Sequence, residues 1–86
     1  MRYQLDPDDR WRDCTAPLDD HGLYARNGIT IHVRGLIDTR TGARYPQGAR
    51  QVRTPGKRAR TFRGETSHLR AESCAREDAY ALEMAR

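Results

Sequence analysis

Arg34, Arg40, Arg44, Arg50, Arg53, Lys57, Arg58, Arg60 and Arg63 stand within a thirty-residue stretch that holds one carboxylate, Asp38. Guanidinium groups gathered on one surface bind phosphates through bidentate contacts and through release of the counterions that surround a nucleic acid. The flanks reverse the balance. Residues 1–33 carry four arginines against six aspartates, and residues 64–86 carry three arginines against five acids. The middle is therefore +8 and each flank −2, which sums to the overall +4. Arginine outnumbers lysine fifteen to one, as a GC-rich coding bias would produce. Such a bias would scatter arginine along the whole chain. It would not clear carboxylates from one window, so the asymmetry points to a basic face.

Other chemistry is less well specified. His32 is a general acid or base in type, and Arg34 or Arg60 would stabilise a phosphorane-like charge, as a small ribonuclease toxin requires. No spacing supplies its second catalytic group. Cys14, His21, His68 and Cys74 are zinc-ligand types, but their gaps of six and five intervening residues exceed the tight pairs that zinc sites use. The chain has no glycine-rich phosphate loop, no nucleophile elbow and no H-E-x-x-H. The expectation is a non-enzymatic protein with no cofactor and no metal.

The elements that must carry the arginines can be read in order. Asp6 precedes Pro7, Asp8 and Asp9, the pattern of a capped helix start, so a short helix is expected through about Asp13 with Trp11 on the core. Asn27-Gly28 between Gly22–Arg26 and Ile29–Asp38 reads as a hairpin turn. Ile29, Ile31 and Val33 alternate with Thr30, His32 and Arg34, which predicts a half-buried strand, and Gly35 marks a bulge. Asp38 to Gly42 is a turn and Pro46-Gln47-Gly48 a break. Thr54-Pro55-Gly56-Lys57 joins a second pair of basic strands, Ala49–Thr54 and Lys57–Arg63, by a type II turn. From Thr66 or Ser67 the composition shifts to helix formers, with Ser67 as cap and a stripe of Leu69, Ala75, Ala79 and Leu82 beside Cys74.

These readings give one α+β domain: a short N-terminal helix, an antiparallel β-meander of three to five strands, and a C-terminal helix packed on one face. Residues 1–20 form an acidic segment, 22–63 the basic meander and 66–85 the helix. The candidate nucleic-acid contacts are Arg34, Arg44, Arg50, Gln51, Arg53, Lys57, Arg58, Arg60 and Arg63. Gln51 is of a type that reads adenine. A two- or three-stranded ribbon fits the major groove, so DNA is favoured over RNA, whose sheet readers add exposed aromatics. The runner-up is an adaptor or inhibitor whose arginines meet an acidic protein partner.

The run Gly56-Lys57-Arg58-Ala59-Arg60-Thr61-Phe62-Arg63, leading into an alanine-rich helix, resembles the arm-type, AP2-like N-terminal DNA-binding domains of phage tyrosine recombinases. The resemblance covers roughly residues 29 to 85. It implies a three-stranded sheet laid in the major groove and backed by one helix. By analogy Arg50, Arg53, Arg58 and Arg60 face DNA and Phe62 packs on the helix. The chain departs from the pattern in its long Asp38–Gly48 connection and in lacking a clear aromatic partner for Phe62. It has no room for a recombinase domain, so the resemblance implies a phage or mobile-element regulator or accessory factor acting alone.

Large apolar residues are few, enough for one thin core that a second copy of the chain would complete. No run of about 18 apolar residues exists to cross a membrane, and the first residues lack a signal-peptide core. A cytoplasmic protein with reduced Cys14 and Cys74 is expected.

Overall fold

The computed structural model describes residues 2–9 and 22–85. Strand β1 (Tyr3–Leu5) is followed by a 3-10 turn, Pro7–Asp9, and a one-turn helix α1 (Leu23–Arg26). Strands β2 (Thr30–Asp38), β3 (Arg44–Arg53) and β4 (Arg60–Arg63) lead into helix α2 (Ser67–Met84). The strands form an antiparallel sheet in the order β1-β2-β3-β4. The α+β class is as expected.

The turns show why the chain reverses where it does. Lys57 N–H bonds the Thr54 carbonyl at 3.0 Å while Gly56 takes a φ of 79°, the conformation a side chain at the third turn position would resist. Between β2 and β3 the Gly42 N–H reaches the Asp38 carbonyl at 2.7 Å, and an Asp38 carboxylate oxygen accepts the Arg40 N–H at 2.9 Å. The β2–β3 pairing slips between Arg34 and Leu36, around Gly35, opposite the stretch that holds Pro46, Gln47 and Gly48. The expected break is thus an irregularity inside one continuous strand.

Asn27-Gly28 does not form a hairpin. It ends α1. The Gly28 N–H bonds the Ala25 carbonyl at 3.1 Å and the Ile29 N–H bonds the Tyr24 carbonyl at 2.8 Å, the paired closure of a Schellman motif. The same dipeptide suits a type I′ turn or a helix stop because each uses a residue with positive φ. Leu23–Arg26 has no strand partner, and Tyr24 is buried with its hydroxyl donating to the Glu72 carbonyl at 3.2 Å on α2.

One face of the sheet carries the core. Ile29, Ile31, Val52 and Tyr24 pack under Ala71, Ala75 and Ala79, with Phe62 and Leu82 at the margin. The three alanines recur every fourth residue and are fully buried, so α2 lies close to the strands. The expected stripe is corrected in one member: Leu69 is 57% exposed. Six residues before Ala75 is far round the helix from that face. Thr66, one residue before the expected Ser67, takes the N-cap position, and Ser67 is buried in the first turn. At the chain start Asp6 accepts the Asp8 N–H at 3.0 Å, as a cap should, and the described residues that follow form a 3-10 turn. The expected continuation to Asp13, with Trp11 and Cys14, lies outside the described residues. No helix among the described residues is long and apolar enough to cross a membrane.

Candidate nucleic-acid interface

Strand pairing assigns each arginine to a face. Ile31, Val52 and Arg60 form one row across β2, β3 and β4, and Val33, Arg50 and Phe62 form another. Ile31 and Val52 are core, so these rows point toward α2. The alternate rows point away from it: Thr30 with Arg53, then His32, Gln51 and Thr61, then Arg34, Ala49 and Arg63. No Asp or Glu belongs to any of these three rows.

Four of the nine sequence-predicted residues, Arg34, Gln51, Arg53 and Arg63, therefore share the face turned from the helix. Gln51 links them. Its Oε1 accepts from Arg34 at 3.4 Å and from Arg53 at 3.3 Å, and its Nε2 donates to the Thr61 hydroxyl at 3.3 Å. His32 Nε2 lies 2.8 Å from the Thr30 hydroxyl. None of Arg34, Arg53 and Arg63 has an ion-pair partner among the described residues. The three rows make a polar, positively charged platform that contains no Asp or Glu of its own among the described residues.

The other five predicted residues lie elsewhere. Arg60 points toward the helix and donates to both carboxylate oxygens of Asp78 on α2. Lys57 Nζ joins it at 3.1 Å and the Thr54 hydroxyl at 2.7 Å. Asp78 is buried, which alone would raise its pKa. The hydrogen bonds from Arg60, Thr54 and Lys57 outweigh burial and bring it from 3.8 down to about 2. Arg50 occupies the helix-side row of Phe62 and donates to the backbone carbonyls of Gln47 and Ala49. Arg44 pairs with Asp6 and Asp8, each at 3.3 Å, at the far end of the sheet. Arg58 is exposed in the connection before β4 and not in a strand, so it does not share a strand face with Arg60.

The grouping of Arg50, Arg53, Arg58 and Arg60 as one surface is therefore corrected: only Arg53 of these lies on the sheet face turned from the helix. Phe62 does pack against the core, with the Arg70 guanidinium 5.3 Å from its ring centre. A signal for the right grouping exists in the chain itself. Arg60 is two residues from Phe62 and Arg50 two from Val52, so each shares a face with a core residue. Thr30, Thr61 and Ala49 belong to the open face by the same parity. The buried Asp78, three residues after Ala75 and seven after Ala71, falls on the helix stripe by the helical period and is open to the same reading.

Of the ribonuclease alternatives, His32 keeps one of its two candidate arginines beside it. His32 and Arg34 share the open face, and Arg60 is on the other side of the sheet. The zinc set lacks Cys14 and His21, which lie outside the described residues; among the described residues no cluster of three ligand-type side chains forms. Cys74 is a part-buried thiol whose pKa burial pushes up. Exposed aromatics occur away from the platform: Tyr3 and Tyr45 meet edge to face, 6.1 Å between ring centres, beside a groove of about 730 Å³ that also touches Leu36, Pro46 and Arg63. Comparison with protein-family models, with curated proteins and with solved structures finds no match.

Proposed function

We propose that this chain is a non-enzymatic nucleic-acid-binding protein that takes duplex DNA onto the open face of β2, β3 and β4. The observation that carries this reading is the platform of Arg34, Arg53, Arg63 and Gln51, whose three strand rows contain no Asp or Glu. Three strands at about 4.8 Å spacing make a ribbon about 10 Å across, which matches a major groove about 12 Å wide. The arginines would contact phosphates and fix register. Gln51, held between Arg34 and Arg53, would present its amide to a base edge. The three rows contain no Phe, Tyr or Trp, so the face offers no stacking platform for unpaired bases, which favours duplex over single strand.

The resemblance to phage recombinase arm domains agrees with a sheet backed by one helix, and it carries the further reading of a regulator or accessory factor of a mobile element. An acidic protein partner would use the same arginines, and salt weakens both kinds of complex. Direct binding separates them. Labelled duplex DNA and single-stranded RNA are titrated at about 50 and 200 mM salt, where several phosphate contacts cost orders of magnitude in affinity. Duplex binding that falls steeply with salt and is lost in Arg34→Ala/Arg53→Ala/Arg63→Ala supports the proposal. No binding to either nucleic acid at low salt overturns it in favour of the acidic partner.

A further inference from the structure

We propose that Arg34 and Arg63, facing each other across Ala49, form a seat for one phosphoryl group. The inference deepens the nucleic-acid reading and, for its biological ligand, rests on it. Cross-strand pairing puts the three residues in one row, with the arginine Cα atoms two strand intervals, about 10 Å, apart. Ala49 between them offers only a methyl group. It is fully buried although α2 lies on the opposite face, and its neighbours in the row are the two arginines.

The nitrogens of this pair are short of partners. The Nε atoms of both Arg34 and Arg63 are buried and make no hydrogen bond. Arg34 gives one terminal nitrogen to Gln51 at 3.4 Å, a long bond, and the Arg63 guanidinium donates to no described residue. Buried donors are almost always satisfied in folded proteins, so two orphans in one row mark a place that an acceptor completes. Two cations in one row, neither with an ion-pair partner among the described residues, also repel. A group with two negative charges and three exposed oxygens relieves that repulsion and matches two planar forks of donors. By contrast the third orphan, Arg60 Nε, belongs to a guanidinium already satisfied by Asp78.

The test follows the arginine Nε–Hε resonances of the ¹⁵N-labelled chain during titration with inorganic phosphate, with chloride at matched ionic strength and with acetate as references. The Arg34 and Arg63 resonances should move together and saturate with phosphate and respond far less to acetate. Arg34→Gln and Arg63→Gln should each weaken phosphate about tenfold, the loss of one charge-assisted contact. Arg34→Lys keeps the charge without the fork and should weaken it also. Arg76→Gln, on the exposed side of α2, removes the same charge and should leave the seat unchanged. Thermal melts establish that each variant is folded, and the Arg34→Lys result stands in should a glutamine variant unfold. Resonances that do not move, an equal response to acetate, or equal phosphate affinity in the Arg63→Gln and Arg76→Gln variants would overturn the seat.

Duplex DNA separates the two proposals. Phosphate binding at the seat with no duplex binding leaves the seat standing and removes the nucleic-acid reading. Duplex binding undiminished by Arg63→Gln leaves that reading on Arg53 and Gln51 and removes the seat.

Discussion

Arg60 and Arg63 end the same four-residue strand and meet opposite fates. Arg60 lies under α2, where Asp78, Thr54 and Lys57 complete a buried polar cluster. Arg63 lies on the other face, in a row with Ala49 and Arg34, and has no ion-pair partner among the described residues. Their charge and composition are the same. The pleat alone, with its period of two, sends one toward the helix and the other to the opposite face. A basic stretch is therefore not one surface. Part of its charge is paired inside the fold, and only the remainder has no ion-pair partner among the described residues.

Substitutions should separate these two roles. The largest effect is expected at Asp78. Asp78→Ala strands Arg60 and Lys57 beside an empty acceptor position and should cost about 3 kcal/mol, at the lower end for a broken buried pair because both cations are partly exposed. Urea unfolding should show this, with a melting temperature lower by about 15 °C. A loss below half a kilocalorie would mean the cluster is not structural.

Acid should act on the same group. The folded-state pKa of Asp78 is depressed to about 2 from 3.8. Its contribution is thus present in full above the unfolded value and is lost as the pH falls from about 4 through 2. The integrated effect is about 2 kcal/mol. Unfolding free energies measured from pH 5 to pH 2 should fall more steeply in the parent chain than in Asp78→Asn.

Overpacking tests the closeness of α2. Ala75→Leu should cost about 2 kcal/mol because the fully buried methyl leaves no space for a longer side chain. A chemical melt of the variant checks it, and a neutral outcome would show the helix free to lift from the sheet.

The arginine pair itself supplies the sharpest contrast. Arg63→Ala should weaken duplex DNA by about tenfold and reduce the salt slope by about one, with little change in stability. Arg60→Ala should do the reverse, destabilising the chain while leaving the slope of the folded fraction unchanged. Equal slopes in the two variants would erase the distinction between the faces. The smallest effect is expected at Arg70, whose stacking on Phe62 is exposed; Arg70→Ala should cost about 0.5 kcal/mol in a thermal melt.

Much of the frame was legible along the chain. Helix α2 followed from its run of alanine, glutamate and arginine, and the Thr54–Lys57 turn from Pro55-Gly56. The β2 strand followed from Ile29, Ile31 and Val33 in alternation. Asn27-Gly28 was misread because positive φ serves a hairpin and a helix stop alike, and only the partners of Tyr24 and Ile29 decide between them. The candidate site was half legible. Clearing of carboxylates from residues 34–63 pointed to the right stretch, and it could not sort Arg50, Lys57 and Arg60 from Arg34, Arg53 and Arg63.

Sequence alone determined helix α2, the β2 alternation, the Thr54–Lys57 turn and the concentration of positive charge, because backbone propensity and charge are properties of residues and their near neighbours. Tertiary structure decided which charges remain available. Register across β2, β3 and β4 puts Ala49 between two arginines, and packing of α2 brings Asp78 onto a third. Both depend on residues far apart in the chain, and a slip of one position in any strand would exchange the two faces.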